Sequence, residues 1–141
     1  MNKDLTVIIT ASYIPTHPST TIIGETISSL KYLNLPQNTR VILAHDGCPD
    51  VKASENYNKY INNLRKSYKE NFIVTVLPKK KHLTGSIRSA FEYVETEFVL
   101  IIQHDLPFCR EINIHKVIED MKENTKLKHV RFNLRPNIEH G

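Results

Sequence analysis

The stretch Phe98-Val-Leu-Ile-Ile-Gln-His-Asp-Leu-Pro-Phe108 decides how this chain folds. Its first five residues, 98–102, are all apolar, a pattern that predicts a strand buried on both faces of a sheet. The run changes without a spacer into Gln103, His104 and Asp105, so polar groups stand where the strand leaves the sheet. Ligands of open α/β sheets bind beyond the carboxyl ends of the strands. The sequence therefore predicts a binding crevice beside these three side chains.

Length and composition indicate a single domain over residues 1–141. Of the 141 residues, 40% are hydrophobic, which is enough to bury a core without disulfides. Cys48 and Cys109 lie far apart and have no Cys-x-x-Cys or Cys/His spacing, so neither a disulfide framework nor a zinc site is indicated. No segment has the roughly 18 apolar residues that span a bilayer, and the N-terminus is too short and too acidic for a signal peptide. We therefore expect a reducing, cytoplasmic compartment.

The charge of the chain is compatible with an anionic partner. The net charge is +4 and the pI is about 9.1, which suits a nucleotide or a membrane surface but is also common in proteins that bind neither. The basic residues are dispersed and form no recognition motif, which argues against nucleic acid. The lysines at positions 79–81 are typical of a solvated loop, with phosphate contact or peripheral membrane contact as the alternatives.

Strand and helix signals alternate along the chain. Apolar runs predict five strands, over residues 5–10, 40–44, 72–77, 98–102 and 128–134. Residues spaced at the helical period predict four helices between and after them, capped near Ser19 or Thr20, covering 53–68, capped at Thr84 and capped at Asn113. The tyrosines of the second helix fit core packing. This alternation predicts an α/β fold, a doubly wound, mostly parallel sheet of about five strands with helices on both faces.

Glycine-rich phosphate motifs are missing from the sequence. There is no Gly-x-Gly-x-x-Gly after the first strand, no Gly-x-x-x-x-Gly-Lys-Ser/Thr and no Gly-x-Ser-x-Gly. These absences remove the main support for dinucleotide oxidoreductases, P-loop enzymes and α/β-hydrolases. Because the chain has only four glycines, the phosphates of a bound nucleotide would have to be neutralised by a metal or by basic side chains.

Polar residues follow four of the predicted strands. In chain order they are Thr10, then His45 and Asp46, then His82 behind the lysine run, and finally Gln103, His104 and Asp105. Because the carboxyl ends of parallel strands share one rim of the sheet, we expect these side chains to converge. Gly47, beside Asp46, is free to take a positive φ and to form a polar turn.

Each candidate also has a purely structural interpretation. Asp46 before a glycine is a common turn residue, and Asp105 fits a cap of the turn that follows it. His104 beside a turn is often solvated, and Gln103 can satisfy backbone groups at the strand end. Arg88, on the first turn of its helix, is either a phosphate or base contact or a partner in a surface ion pair.

The order of these motifs resembles that of GT-A-fold glycosyltransferases of the family 2 type, over roughly residues 5–110. Thr-Ala-Ser-Tyr at 10–13 stands for the family's Thr/Ser-x-Tyr loop, and His-Asp-Gly-Cys at 45–48 for its Asp-Asp-Gly-Ser. Gly85 with Arg88 loosely matches a glycine and an Arg-Asn pair before a helix. Gln-His-Asp at 103–105 matches the Asp-x-Asp motif that ends a buried strand.

The resemblance implies a Rossmann-like, nucleotide-sugar-binding half of a GT-A enzyme. Such a domain takes a sugar from a nucleoside diphosphate sugar donor and passes it to a glycan, lipid or protein acceptor. By the resemblance, Asp46 hydrogen-bonds the base, Thr10 lines the base pocket and Arg88 lies near the nucleotide, and Gln103 and His104 are further donor contacts. Asp105 holds, directly or through water, the Mn²⁺ or Mg²⁺ that bridges the diphosphate.

The sequence departs from the family pattern in its acidic motifs and in its length. His45 and Gln103 each replace an acid, and one Asp with a Gln and a His is a weaker Mg²⁺ site and a somewhat better Mn²⁺ site. In the family, the half after Asp-x-Asp supplies the acceptor pocket and the catalytic base. Only about 36 residues follow Asp105 here, so we expect a donor-binding half completed by a C-terminal half or partner chain, or a small relative without the acceptor half. No catalytic base is assigned.

Two other functions stay open on the sequence. The first is a non-catalytic module of the same fold that binds a nucleotide sugar or a partner subunit, which an exposed apolar patch would favour. The second is a nucleotidyltransferase, which also uses a metal on a similar sheet. Nucleotidyltransferases usually open with a glycine-rich loop after the first strand, and this chain has none.

Overall fold

A computed structural model describes residues 4–132 of the chain. Within that range, four strands form one parallel sheet in the order β3-β2-β1-β4. The strands are β1 (Leu5–Ala11), β2 (Val41–His45), β3 (Phe72–Val76) and β4 (Phe98–Gln103). The helices are α1 (Thr21–Ser28), α2 (Val51–Ser67), α3 (His82–Ala90) and α4 (Ile114–Glu123). Single 3₁₀ segments, Ser29–Leu33 and Phe91–Tyr93, extend α1 and α3. The predicted α/β fold is confirmed, with four strands in place of about five.

The helices lie on both faces because the chain reverses its direction across the sheet. It moves outward from β1 through β2 to β3 and then returns to place β4 on the other side of β1. Right-handed crossovers in opposite directions put their helices on opposite faces. Accordingly, the apolar residues of α1, α2 and α4 pack on one face, around Val7, Ile9 and Leu43. Ala90 of α3 packs on the other face, against Ile8 and Ile42.

Strand β4, which contains the apolar run of residues 98–102, is buried on one face only. Leu100 and Ile102 of β4 are buried, but Ile101 between them is 45% exposed. The prediction of burial on both faces is wrong because β4 is an edge strand and α3 lies over β1 and β2. An apolar run therefore identified the strand but not its position in the sheet.

The fifth predicted strand is not present in the described part of its range. Residues 128–132 form no strand, and Phe132 packs half-buried against the core on the face of α1, α2 and α4. That packing gives the apolar residue a burial site without a place in the sheet. The rest of the prediction, residues 133–134, lies outside the described residues.

The predicted cap of α4 is confirmed, that of α3 is wrong, and α2 has a cap that was not predicted. Asn113 accepts a hydrogen bond from the backbone N–H of Lys116 at 3.1 Å, as predicted for α4. Asp50 caps α2 by accepting from the N–H of Ala53 at 2.8 Å. Thr84 was predicted to cap α3, but α3 begins at His82 and Thr84 lies exposed within its first turn. No helix in the described residues is long and apolar enough to cross a membrane.

Candidate functional site

A cavity of about 540 Å³ opens at the carboxyl ends of β1, β2 and β4. It lies beside the point where the strand order reverses, between β1 and β4, which is where open α/β sheets bind their ligands. Five of the six residues with a predicted role at the donor line it: Thr10, Asp46, Gln103, His104 and Asp105. Arg88 does not line this cavity; its side chain lies exposed on α3. Convergence of the strand ends is therefore observed, while the role of each residue stays a prediction.

Backbone hydrogen bonds between neighbouring strand ends fix these residues in place. The N–H of Asp46 donates to the carbonyl of Ala11 at 2.9 Å, which holds the end of β2 beside β1. The N–H of His104 donates to the carbonyl of Thr10 at 2.9 Å, which holds the end of β4 on the other side. The Thr10 hydroxyl itself donates to the carbonyl of Ile102 at 3.4 Å. The floor of the cavity is thus a continuation of the sheet ladder.

The carboxylate of Asp46 organises the loop that closes one side of the cavity. Its Oδ1 accepts from the N–H groups of Gly47 and Lys81, both at 2.7 Å, and its Oδ2 accepts from the N–H of His82 at 3.0 Å. The residue is 4% exposed. Asp46 therefore replaces Thr84 as the acceptor at the start of α3, acting across the fold. Its contact with a nucleotide base stays a prediction.

Gly47 is required for a close backbone approach. No glycine in the described residues has a positive φ, so Gly47 does not use the conformation that it is free to take. A Cβ at this position would instead lie 2.5 Å from the carbonyl oxygen of Lys79 and 2.6 Å from the backbone nitrogen of Lys80. Gly47 thus lets the loop after β3 lie directly against the loop after β2.

We expect the substitution Gly47→Ala to lower the free energy of unfolding by about 1–3 kcal/mol, because the added methyl group meets backbone that must move. Urea denaturation measures this loss. Gly24→Ala is the matched control, since a Cβ at Gly24 meets its nearest neighbour, the Tyr68 hydroxyl, at an ordinary 3.5 Å within α1. The control should be neutral or more stable than the wild type. Equal stability of the two variants would contradict the account of Gly47.

A cluster of buried aromatic rings contacts the backbone of Asp46 and encloses His45. The Tyr57 hydroxyl donates to the backbone carbonyl of Asp46 at 2.6 Å, and the Tyr60 hydroxyl lies 2.8 Å from Nε2 of His45. The ring of His17 stacks on Tyr60 with 3.7 Å between centroids. His45 was predicted in a polar turn, but it ends β2 and is 1% exposed because this cluster encloses it. Neither His17 nor its contact with Tyr60 was predicted, since nothing in the local sequence indicates it.

Both buried histidines are held neutral at ordinary pH. Burial lowers the pKa of His17 and of His45 from 6.5 to about 4. In the unfolded chain these groups bind protons near pH 6.5, so folding stability is complete above that pH and is lost as the pH falls towards 4. Burial also raises the pKa of Tyr57 and Tyr60, which keeps both hydroxyls protonated as donors.

We expect the free energy of unfolding to fall steeply between pH 6.5 and pH 4. The slope is about 1.4 kcal/mol per pH unit for each proton that the unfolded state binds in excess. The His17→Phe variant keeps a ring on Tyr60 but has no titrating group, so its unfolding free energy should depend on pH less steeply, by about one proton. The measurement is a series of urea titrations of both proteins across this pH range. Identical pH slopes for the two proteins would refute the role of His17.

The residues at the cavity do not build a metal site by themselves. Within residues 4–132, no group of three or more His, Cys, Asp or Glu side chains could hold a metal ion. The Asp46 carboxylate is occupied by three N–H groups, and Nδ1 of His104 faces the carbonyl of Thr10 at 3.2 Å. Asp105 is exposed at the cavity. This donor set fits only a cation shared with ligand phosphates, as Mg²⁺ is often held by one or two carboxylates and the substrate.

Further residues of the cavity come from the loop before α3. Lys80 and His82 line it. The lysines at 79–81 are exposed in a loop, as predicted. Tyr13, the last residue of the Thr-Ala-Ser-Tyr motif, lines it near the end of β1. The signal available in the sequence was their place in the segments that connect a strand to the next helix.

Comparison with known protein families identifies the chain. Residues 13–132 match the family model described as glycosyl transferase family 2. The match includes β2, β3 and β4 and four of the five predicted residues at the cavity, while Thr10 precedes it. A search of curated proteins gave no match to the chain. The extent of the family match, together with the sheet order and the cavity at its reversal point, shows that this chain belongs to glycosyl transferase family 2.

Proposed function

We propose that this domain binds a nucleoside diphosphate sugar in the cavity at the strand ends and transfers the sugar to an acceptor hydroxyl on a glycan, lipid or protein. Membership of the family supports glycosyl transfer in general. The observation that supports this donor most directly is that Thr10, Asp46, Gln103, His104 and Asp105 share one cavity. Its volume of about 540 Å³ lies in the range of small-molecule sites.

Burial along the cavity supports an orientation for the donor. Thr10 and Asp46 are 3% and 4% exposed, so they belong to its floor, where a flat base would be shielded from water. Oδ2 of Asp46 accepts one hydrogen bond within the described residues and keeps a lone pair for an N–H of the base. Gln103 and Asp105 are exposed at its rim, so we place the diphosphate and sugar beside them, where an acceptor could reach.

The reaction beside Asp105 would be a displacement at the anomeric carbon. The acceptor oxygen forms a bond to that carbon as the bond to the diphosphate breaks, so negative charge develops on the leaving phosphate oxygen. A cation shared by Asp105 and the diphosphate would stabilise that charge as a Lewis acid. The acceptor proton requires a base. The cavity is lined by two acids, Asp46 and Asp105, and neither is assigned that role.

Titration of the protein with UDP-sugars and GDP-sugars, with and without Mn²⁺, tests this proposal. Calorimetry should show saturable binding of at least one donor, with higher affinity when Mn²⁺ is present. Release of the free sugar from the bound donor then measures turnover. Absence of binding by every nucleotide sugar tested, with folded protein, would refute the proposed donor.

A non-catalytic module is the second candidate, and one observation favours it. Phe91 and Ile101 are 47% and 45% exposed, and they lie on the 3₁₀ extension of α3 and on the edge strand. Large apolar side chains in such positions are typical of surfaces that another protein segment covers. Donor binding without hydrolysis or transfer would support this second function.

A further inference from the structure

We infer that Lys80 and His82, here called the basic pair, contact the diphosphate of the bound nucleotide sugar. The inference rests on the proposed function and adds the residues that neutralise the phosphates on the side of the cavity away from β4. Both side chains line the same cavity as Asp46 and Asp105. Neither residue belongs to the motifs on which the family resemblance rests.

The loop that carries the basic pair is held over the cavity at several points. The N–H of Leu77 donates to the carbonyl of His45 at 3.1 Å, which extends the β2–β3 pairing to the end of the strands. The Asp46 carboxylate then binds the N–H groups of Lys81 and His82. Between these points, the backbone of residues 79–80 lies against Gly47. A loop anchored in this way presents Lys80 and His82 in a preorganised position.

Two backbone donors on this side of the cavity are already engaged, which favours a role for basic side chains. The backbone N–H groups of Lys81 and His82 already donate to Asp46, so they are not available to a phosphate group. The charge of Asp46 is compensated by three N–H groups, which leaves the exposed Asp105 as the main negative group of the cavity. A diphosphate therefore needs positive partners, and charge-assisted hydrogen bonds from lysine and histidine provide them.

The imidazole of His82 has no evident structural role. The residue is exposed, and within the described part of the chain its side chain makes no recorded hydrogen bond or ion pair. Its backbone has a φ of 62°, a left-handed conformation that costs free energy in a residue with a side chain and that glycine adopts readily. A histidine at this position is therefore unfavourable for folding alone, which is consistent with a ligand-binding role for the ring.

The lysine run provides its own control. Lys79 and Lys80 are adjacent, exposed and of the same charge, but Lys80 lines the cavity and Lys79 does not. A general electrostatic effect of the run would weaken anion binding about equally when either lysine is replaced. A specific contact would be lost only with Lys80.

The test is calorimetry in EDTA on the wild type and on the variants Lys80→Gln, His82→Gly and Lys79→Gln. The titrants are the nucleotide sugars, the matching nucleosides without phosphate, and inorganic pyrophosphate. We expect Lys80→Gln and His82→Gly each to weaken binding of the nucleotide sugar and of pyrophosphate by about tenfold. All variants should bind the nucleoside with an affinity within about twofold of that of the wild type. Lys79→Gln should bind every titrant within the same limit. His82→Gly relieves the left-handed strain, so its unfolding midpoint should equal or exceed that of the wild type.

The outcomes separate this inference from the proposed function. If Lys80→Gln and His82→Gly bind nucleotide sugar and pyrophosphate as tightly as the wild type does, the role of the basic pair is overturned and the donor proposal stands. Equal losses in Lys79→Gln and Lys80→Gln would also overturn it, because they indicate a diffuse charge effect. If no nucleotide sugar binds the wild type, either in EDTA or with Mn²⁺ present, the donor proposal fails. In that case, pyrophosphate binding that depends on Lys80 and His82 supports an anion site, and absence of pyrophosphate binding overturns it.

Discussion

The substitution Asp46→Ala should lower the free energy of unfolding by about 2–4 kcal/mol and release the loop over the cavity. It removes the acceptor of three backbone N–H groups, those of Gly47, Lys81 and His82, at a position that is 4% exposed. Urea denaturation measures the loss of stability, and hydrogen exchange at residues 81–82 measures the release of the loop. Donor binding should be lost with it, because Lys80 and His82 are no longer held at the cavity.

Asp50→Ala is the matched control for this variant. Asp50 is also an aspartate that caps a helix, but it accepts from one described N–H group, that of Ala53, at the start of α2. Loss of such a cap costs about 1 kcal/mol and leaves the cavity intact. If Asp46→Ala were no more destabilising than Asp50→Ala, with unchanged exchange at residues 81–82, the central place of Asp46 in this site would be wrong.

The substitution Asp105→Ala should abolish turnover with little effect on folding. Asp105 is exposed and lines the cavity, so its removal should change the unfolding midpoint very little. If it helps to hold a cation on the diphosphate, sugar release from the donor should fall by about 10²-fold or more. The gain in donor affinity on addition of Mn²⁺ should disappear as well.

Asp120→Ala controls for the loss of one surface carboxylate. Asp120 pairs with Lys116 at 3.0 Å on α4, an exposed i,i+4 ion pair, and it does not line the cavity. Such a pair contributes little to stability and should not affect the donor. A rate of sugar release by Asp105→Ala within twofold of that of the wild type would exclude Asp105 from the reaction.

The sheet could be predicted from the sequence because apolar runs indicate the strands and the length of the connections indicates parallel pairing. Four apolar runs became β1–β4, and the alternation with helices correctly gave parallel pairing and helices on both faces. What a run of apolar residues does not report is the position of its strand in the sheet. For that reason the exposure of Ile101 was missed, and an apolar segment at residues 128–132 was taken for a strand.

The position of the site could also be predicted, since the rim of a parallel sheet follows from topology. The contacts within it could not, because they join residues far apart in the chain. The carboxylate of Asp46 reaches the start of α3, which made a local cap at Thr84 unnecessary. His17 stacks on a tyrosine of α2 across the fold. The need for a glycine at position 47 likewise arises from the loop after β3 and not from the turn itself.

Backbone amide chemical shifts, recorded while a nucleoside diphosphate sugar is titrated into the protein, test the central claim most directly. We predict that the perturbed amides cluster at the strand ends, in residues 10–13, at Gly47, in residues 80–82 and in residues 103–105. The opposite end of the sheet holds a smaller cavity beside Asp4 and Lys122, whose amides should not move. Perturbation centred on that end, or no perturbation by any nucleotide sugar at millimolar concentration, would contradict the assignment of the donor site.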